Sequence, residues 1–444
     1  MRGAGKPGPT GLLGFSLVWL GQFVSLLGSG MTQFAITLWA YQLTGRATAL
    51  ALVGFFAFAP VVLFSPLAGA IVDRVPRKTV MILSDLAAGL STIVLFLLHL
   101  TGRLQLWHLF VTGFLAGAFG AFQFPAYSAA ISLMMEKRHY ARANAMIGLA
   151  EAASGIIAPM LAGGLLLLIG IRGIFLIDIA TFAVAIGALL IVFIPEPERS
   201  ACVASRSSLW QDSLFGFRYI LASRSLLGLQ LVFFFANLVS TFGFTTFAPM
   251  ILARTSSDSL VFGSVQMSFG IGGVAGGLIM TAWGGFRRRV HGVLLGMILS
   301  SLFGTLLLGV ARSLPIWMAG AVATSCLLPL INGSNQAIWQ AKVPPALQGR
   351  VFATRRLIAQ ISVPLAMLAA GPLADRVFEP FMAGETAAAR LLSHLVGTGP
   401  GAGMGLMLVL AGMLGSFVGL AGYAFRAVRD VERILPDHDS PAGG

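Results

Sequence analysis

Long apolar segments follow one another along almost the whole chain, with short polar connections between them. Each is about 20 residues or more, the length that an α-helix needs to cross the hydrocarbon core of a bilayer. The pattern therefore predicts twelve transmembrane helices, at residues 15–42, 48–72, 79–99, 105–134, 143–168, 173–195, 225–253, 259–285, 290–312, 315–341, 351–374 and 403–427.

The longest polar stretch inside the chain separates the sixth apolar segment from the seventh and covers roughly residues 196–224. It divides the segments into two sets of six. We therefore expect an all-α membrane protein with twelve transmembrane helices in two six-helix bundles. The predicted domains are an N-terminal bundle at 1–196, a cytoplasmic linker at 197–222, and a C-terminal bundle with a cytoplasmic tail at 223–444.

Glycine is abundant, with 54 residues, and often recurs at a spacing of four along the predicted spans. Small residues at this spacing let neighbouring membrane helices approach closely. The pattern predicts close helix packing at the pairs Gly113 and Gly117, Gly273 and Gly277, and Gly415 and Gly419.

Composition and charge agree with a membrane location. Of the 444 residues, 57% are hydrophobic and 10% are charged, and the mean hydropathy is +0.88, which excludes an ordinary soluble protein. The net charge of +13 is spread over short connections, and 22 of the 29 Lys and Arg residues lie in or beside the termini and the even-numbered connections. The positive-inside rule explains this asymmetry and places both termini in the cytoplasm. We therefore expect a multi-pass protein of a bacterial inner membrane, with no nucleic acid as a partner.

The two cysteines, Cys202 and Cys326, lie in a polar connection and in an apolar segment. Neither a disulfide pattern nor the spacing of metal ligands is present, so no metal is expected.

Three acidic residues lie inside predicted spans: Asp85, Glu151 and Asp178. A charged side chain at the centre of a membrane helix costs about 2.5 to 3.5 kcal/mol on insertion scales, so each needs a reason. Glu151 lies about two turns into the fifth span and is the first choice for a proton carrier. Its alternative role is a structural ion pair with a base near the second span. For Asp85 and Asp178 a structural role is favoured, with an Arg, amide or hydroxyl partner for each, and both stay on the list of proton-coupling candidates as the alternative.

The segment GAIVDRVPRK ends the second span with an acid and three bases in ten positions. It resembles motif A of the major facilitator superfamily of transporters, G-x-x-x-D-R-x-x-R-[RK], although Pro76 stands where a glycine is common. The resemblance implies a conformational latch, because an acid at a helix end can gain and lose basic partners as helices tilt. The alternative is that the bases only fix the topology. The matching residues are Gly69, Asp73, Arg74, Arg77 and Lys78.

Two segments of the second half resemble parts of the same motif. Arg287, Arg288 and Arg289 follow the eighth span as a basic echo without the acid, which predicts a latch on one half only. The segment GPLADR at 371–376 also fits G-x-x-x-D-R. The charge pattern puts it at the outer end of the eleventh span, so it is not assigned as a second latch.

The fifth span contains GIIAPMLAGG, which partly matches motif C of drug antiporters in this superfamily. The matching residues are Gly155, Pro159 and Gly163, whereas Ala158 and Ala162 stand where the motif has glycines. The match supports export, and an ordinary proline-kinked packing helix is the alternative.

Longer segments, at 25–50, 343–356 and 371–380, resemble a bacterial export branch of the superfamily that includes macrolide-efflux and siderophore-efflux proteins. In this superfamily the first, fourth, seventh and tenth helices line a central cavity, so the resemblance implies that their polar and aromatic residues contact substrate. Such a lining suits a bulky amphipathic solute, and helix packing is the alternative for each single residue. The candidates are Gln33, Thr37, Gln123, Tyr127, Asn237, Thr241, Asn332, Asn335, Gln336 and Trp339.

The expected function is secondary active export of a small amphipathic molecule, such as a macrolide-like drug, a siderophore or a peptide natural product. The expected mechanism is proton antiport with alternating access, without a cofactor and driven by a proton gradient. The expected partners are the substrate, protons and membrane lipid, and the expected protein is a monomer and not an enzyme. The alternatives are a uniporter or a lysophospholipid translocator, and, in another class, a non-transporting membrane scaffold or sensor.

Overall fold

The computed structural model describes residues 11–136, 139–195 and 209–437, and the regular structure within these ranges is helical. The chain folds as two compact units. The first contains Met1–Leu43 and Leu52–Ala204, and the second contains Thr44–Ala51 and Ser205–Gly444. Residues 196–208 of the predicted linker lie outside the described residues.

Four spanning helices and one very long helix make up the first half of the chain. They are α1 (Gly11–Thr44), α2 (Ala47–Arg74), α3 (Arg77–Leu100), α4 (Leu106–Met134) and α5 (Tyr140–Ile191). Local chemistry sets their ends. Pro76 separates α2 from α3, and the side chains of Gln105 and His108 form a capping box at the start of α4.

The long helix α5 is two transmembrane helices joined end to end. Gly170, with φ +63° and ψ −176°, interrupts the helical backbone in a conformation that essentially only glycine adopts. Eleven helices in the described part of the chain are long and apolar enough to cross a membrane, and Arg142–Ile191, with 50 residues, is long enough to cross twice. The predicted all-α fold with twelve spans in two sets of six is confirmed.

The second half begins with α6 (Leu209–Ala222) and continues with six spans. The first two spans are α7 (Arg224–Arg254) and α8 (Ser259–Trp283). The third contains α9 (Arg289–Ser300), the π-helical segment Ser301–Leu306 and α10 (Leu307–Val310); the fourth contains α11 (Leu314–Cys326) and α12 (Leu328–Lys342). The fifth contains α13 (Pro345–Leu373), the π-helical segment Ala374–Phe378 and α14 (Glu379–Ala383). After α15 (Ala387–Val396) come the last span, α16 (Ala402–Ala424), and the short helices α17 (Arg426–Arg429) and α18 (Val431–Ile434).

The eleventh span is longer than the predicted 351–374. Its helix begins at Pro345 and continues through a π-helical turn to Ala383. Proline is well tolerated in the first turn of a helix, which explains the early start. Hydropathy underestimates the length of this helix at both ends, because the helix continues through polar residues on either side of its apolar segment.

Close helix packing at glycine is confirmed in part. A Cβ at Gly117 of α4 would lie 2.1 Å from the carbonyl oxygen of Ala57 in α2, so only glycine fits there. In α8 the predicted pair is wrong by one residue. Gly273 and Gly277 face open space, whereas a Cβ at Gly276 would lie 1.9 Å from the carbonyl oxygen of Cys326. Gly272 and Gly276 have the same four-residue spacing as Gly273 and Gly277. The sequence alone therefore does not reveal which side of α8 packs against α11.

Each unit has its own buried core. In the first unit a cluster around Phe15, Met81 and Leu189 joins α1, α3 and the end of α5. In the second unit the cluster around Trp339, Leu229 and Leu294 joins α12, α7 and α9. The linker helix α6 packs on α13 in the second unit, where a Cβ at Gly216 would lie 2.1 Å from the Thr354 hydroxyl oxygen.

We expect Gly276→Val to lower the stability of the detergent-solubilised protein by about 1 to 3 kcal/mol, because the new side chain would collide with the backbone at Cys326. Gly277→Val is the matched control, since it adds the same β-branched residue to the same helix at a position that faces open space. Thermal unfolding measures both variants. Equal melting temperatures for the two would contradict the packing of α8 described above.

Candidate functional site

Asp85 on α3 is held by two amide side chains from other helices. Its exposed fraction is 9%. The Gln22 amide nitrogen on α1 donates to one carboxylate oxygen at 2.7 Å, and the Gln123 amide nitrogen on α4 donates to the other at 2.9 Å. Gln123 also donates to the side-chain oxygen of Gln22 at 3.1 Å. Three helices of the first unit are therefore joined around one buried acid.

Asp178, in the second helical part of α5, is buried more deeply, with 2% of its surface exposed. The Ser29 hydroxyl of α1 donates to its Oδ1 at 3.1 Å, and the Thr92 hydroxyl of α3 donates to its Oδ2 at 2.9 Å. Gly28 allows α1 to approach, because a Cβ there would lie 3.0 Å from the Cα of Asp178. We call Asp178, Ser29 and Thr92 the acid–hydroxyl cluster.

A small cavity of about 130 Å³ lies within the first unit beside this cluster. A cavity of this size has room for several water molecules and too little room for a macrolide-sized solute. Its wall includes the Asp178 carboxylate and Gln33, one of the two substrate-cavity candidates on α1, and is otherwise a mixture of hydroxyl and aliphatic groups. The polar lining residues are Ser29, Thr32, Gln33, Ser91, Thr92, Thr112 and Asp178.

Glu151, the first choice from the sequence, is exposed on the first helical part of α5. The motif C-like segment that follows packs against α1. The Ser154 hydroxyl donates to the carbonyl oxygen of Leu26 at 3.1 Å. A Cβ at Gly30 would lie 2.8 Å from the Cβ of Ala158. Of the motif C residues, Pro159 is buried within the helix and Gly155 faces open space, while Gly163 follows one turn later.

Motif A lies at the end of α2 and the start of α3. Lys78 donates to the carbonyl oxygens of Leu190 at 3.1 Å and Val192 at 2.8 Å, which are the last carbonyls of α5. A cation is favourable there because the carboxyl end of a helix is negative. Arg74 is exposed and Arg77 is half-buried. The surroundings of Gly69 and the side chain of Asp73 lie outside what the structure describes, so the predicted latch role of Asp73 stays a prediction.

The basic echo of motif A, after α8, has an acid from a distant part of the chain beside it. Arg289 donates to the carbonyl oxygen of Ala337 at 3.0 Å, and Arg287 and Arg288 are exposed. The side chain of Glu432, in α18, accepts from the backbone nitrogen of Val290 at 3.1 Å, at the first turn of α9. The C-terminal segment therefore supplies the carboxylate that the local sequence lacks.

The same C-terminal segment is anchored by a buried lysine. Lys342, at the end of α12, donates to the carbonyl oxygen of Glu432 at 2.9 Å and to that of Leu435, and it pairs with the carboxylate of Asp437 at 2.8 Å. Residues 426–437 are thus a structured part of the second unit.

The substrate-cavity candidates of the second unit differ in exposure. Asn335 is 4% exposed and Trp339 is fully buried. Asn237, Thr241 and Gln336 are half-buried, and Asn332 is exposed. In the first unit Gln33 is exposed, and the Thr37 hydroxyl donates to the backbone oxygen of Gln33 at 2.8 Å. Tyr127 stacks on Phe15, with ring centroids 6.4 Å apart.

Arg355 on α13 is a candidate that sequence reasoning missed. Its guanidinium carbon lies 5.3 Å from the ring centroid of Trp339 and 5.6 Å from that of Phe352, within the range of a cation–π contact. Gln230 of α7 donates to its backbone oxygen at 3.2 Å. A basic residue inside a predicted span, here 351–374, was the signal that could have identified it.

Comparison with known proteins agrees with this architecture. The model of the Major Facilitator Superfamily matches residues 18–367. The chain belongs to the major facilitator superfamily. It is therefore a membrane transporter and not an enzyme.

Relatives of this superfamily member include efflux proteins. Macrolide efflux protein A of Streptococcus pyogenes is 25% identical over 377 residues, which cover 82% of this chain and 90% of the relative. The enterobactin exporter EntS of Escherichia coli is 24% identical over 343 residues, which cover 76% of this chain and 79% of the relative.

Solved structures share the fold at low sequence identity. A bacterial homologue of the human lysosomal transporter Spinster has a TM-score of 0.63 and 15% identity, with 92% of this chain and 97% of that chain covered. The nucleoside transporter NupG has a TM-score of 0.62 and 12% identity, with 93% and 100% covered.

Replacing Glu432 by alanine should lower stability by about 1 kcal/mol, because the Val290 backbone nitrogen at the start of α9 would lose its carboxylate acceptor. Glu385→Ala, at an exposed position before α15, is the control for loss of a surface carboxylate. Thermal unfolding in detergent compares the two. A Glu432→Ala protein that melts with the parent would show that the C-terminal carboxylate does not cap α9.

Proposed function

We propose that this protein exports a small amphipathic molecule from the bacterial cytoplasm by alternating access. The efflux relatives support export, since their names cover macrolides and enterobactin, which are both bulky solutes. The distribution of Lys and Arg supports cytoplasmic termini and a location in the inner membrane. Macrolide-like drugs, siderophores and peptide natural products are the substrate classes to test first.

We further propose that export is coupled to proton entry, and that Asp178 carries the proton. The observation that supports this role is the acid–hydroxyl cluster. A carboxylate at this depth is costly when charged, so protonation relieves part of that cost. Hydroxyl groups can donate to the charged acid and, after rotation, accept from the protonated acid. Asp178 can therefore change its protonation state without separating the three helices.

Asp85 is less suited to this role because of its partners. The amide nitrogens of Gln22 and Gln123 can only donate, so they match a charged carboxylate and oppose a proton on it. A proton on Asp85 would find an acceptor only after one of these amides turned over, which breaks the bond that its nitrogen now makes. We assign Asp85 to holding α1, α3 and α4 together.

The cavity beside Asp178 supplies the second requirement, a place for water. Its volume of about 130 Å³ and its hydroxyl lining can hold a short chain of water molecules next to the carboxylate. In the proposed cycle, protonation of Asp178 favours one conformation and the charged form favours the other. Glu151 remains the second candidate, because an exposed acid on the first part of α5 could face the transport pathway.

The coupling test uses inverted membrane vesicles that contain the parent, Asp178→Asn, Asp85→Asn or Glu151→Gln. With one proton exchanged per solute molecule and no membrane potential, a gradient of one pH unit should concentrate a transported macrolide about tenfold in parent vesicles. Asp178→Asn should retain exchange of labelled for unlabelled macrolide and lose the response to the gradient. Asn keeps the shape of Asp, which separates loss of titration from loss of folding.

Two outcomes would remove this assignment. Asp178→Asn vesicles that concentrate the macrolide as the parent does would exclude Asp178. If Glu151→Gln alone abolishes the gradient response, the proton carrier is Glu151. Parent export that ignores a collapsed proton gradient would exclude antiport and favour a uniporter.

The substrate class is tested in cells that express the parent protein. We expect either higher macrolide resistance or faster siderophore release than in cells with the Asp178→Asn variant. Lysophospholipid movement between leaflets is measured in the same membranes. A protein that moves lysophospholipid between leaflets but transports neither macrolide nor siderophore would contradict the proposed export of a small amphipathic molecule from the cytoplasm.

A further inference from the structure

The segment GPLADR, at the end of α13 and in the following π-helical turn, is bonded to the start of another helix. Asp375 accepts from the backbone nitrogens of Ala47 at 2.9 Å and Thr48 at 2.8 Å, and from the Thr48 hydroxyl at 2.5 Å. Ala47 and Thr48 are the first residues of α2. A carboxylate from a residue more than 300 positions away therefore caps the positive end of α2.

The glycine of the same segment makes this approach possible. Gly371 precedes Asp375 by four residues, so the two lie on one side of the helix. A Cβ at Gly371 would lie 2.7 Å from the Cα of Thr48 and 2.8 Å from the Cβ of Ala51. Thus G-x-x-x-D supplies a gap for the α2 backbone and, one turn later, the acceptor for its free nitrogens.

Helix α2 continues beyond this contact into a different folding unit. Its first turn groups with the second unit as part of Thr44–Ala51, and from Leu52 onward it groups with the first. One G-x-x-x-D-R segment, at 69–74, forms the last turn of α2, and a second, at 371–376, caps its first turn. The two ends of the same helix therefore each have an aspartate of the same local pattern.

We propose that the Asp375 cap is a releasable lock on the outer end of α2, closed in one state of the transport cycle and open in the other. This inference rests on the alternating access of the proposed function. The three contacts of the Asp375 carboxylate with Ala47 and Thr48 are hydrogen bonds, and Asp375 is half-buried. Water can therefore replace Asp375 as the acceptor when α2 moves away. Asp375 does not contact substrate, and its role is to bias the equilibrium between the two states.

The test measures access from outside to one cysteine in intact cells. Cys202 and Cys326 are first replaced by serine, and Gln33→Cys on α1 is labelled with a membrane-impermeant maleimide. Asp375→Ala should raise the labelling rate about tenfold, the population shift that corresponds to loss of a helix cap worth about 1.4 kcal/mol. Thr48→Val, which removes one of the three donors and keeps the shape of the side chain, should raise it less.

Asp258→Ala is the matched control. Asp258 also caps a helix with its carboxylate, accepting from the backbone nitrogens of Leu260 at 2.8 Å and Val261 at 3.1 Å, but only within its own helix, α8. Its loss should leave the labelling rate unchanged. An unchanged rate in Asp375→Ala would overturn the lock, and an equal rise in both alanine variants would also overturn it, because general loosening would then explain the effect.

The labelling needs neither substrate nor a proton gradient. A failed transport assay together with the expected labelling pattern would overturn the proposed coupling and leave the lock. The opposite pattern, gradient-driven export by the parent with an unchanged labelling rate in Asp375→Ala, would overturn the lock alone.

Discussion

The hydrocarbon core of a membrane offers no hydrogen-bond partners, so polar groups placed there must be satisfied by the protein itself. In this transporter the constraint acts on backbone and side chains alike. In the described spans the backbone is α-helical or π-helical apart from a single turn at Leu327, and the break at Gly170 lies between two spans. The two buried acids of the first unit are each held by side chains from other helices. The same bonds that satisfy these acids also fix which helices are neighbours.

The kind of partner decides what a buried acid can do. Amide nitrogens hold Asp85 in one role, as an acceptor, whereas the hydroxyls around Asp178 accommodate an acid with or without its proton. Three charges outside the buried clusters lie at helix ends of opposite polarity. Lys78 lies at the carboxyl end of α5, and Glu432 and Asp375 lie at the amino ends of α9 and α2. Such contacts are strong enough to hold helix ends and polar enough for water to replace them.

The sequence predicted the features that depend on local composition. Hydropathy located the twelve spans and their division into sixes, and the cost of charge in a membrane identified Asp85 and Asp178 as residues that need partners. The partners themselves were not predictable, because Ser29 is 149 positions from Asp178 and only the fold brings them together. The same is true of Glu432, which compensates for an acid that is absent beside Arg289, and of the one-residue shift from Gly277 to Gly276. Arg355 was not predicted, although a base inside the span 351–374 carries the same cost as an acid and so also needs a partner.

In the proposed mechanism Asp178 exchanges a proton as the transporter changes state. Infrared difference spectroscopy on the purified protein measures this directly, by recording the carboxylic acid C=O band before and after addition of a transported solute. We expect solute binding to remove intensity from a protonated carboxyl band, and we expect Asp178→Asn to lack this change. A band change that persists in Asp178→Asn, or the absence of any carboxyl change in the parent, would contradict this mechanism.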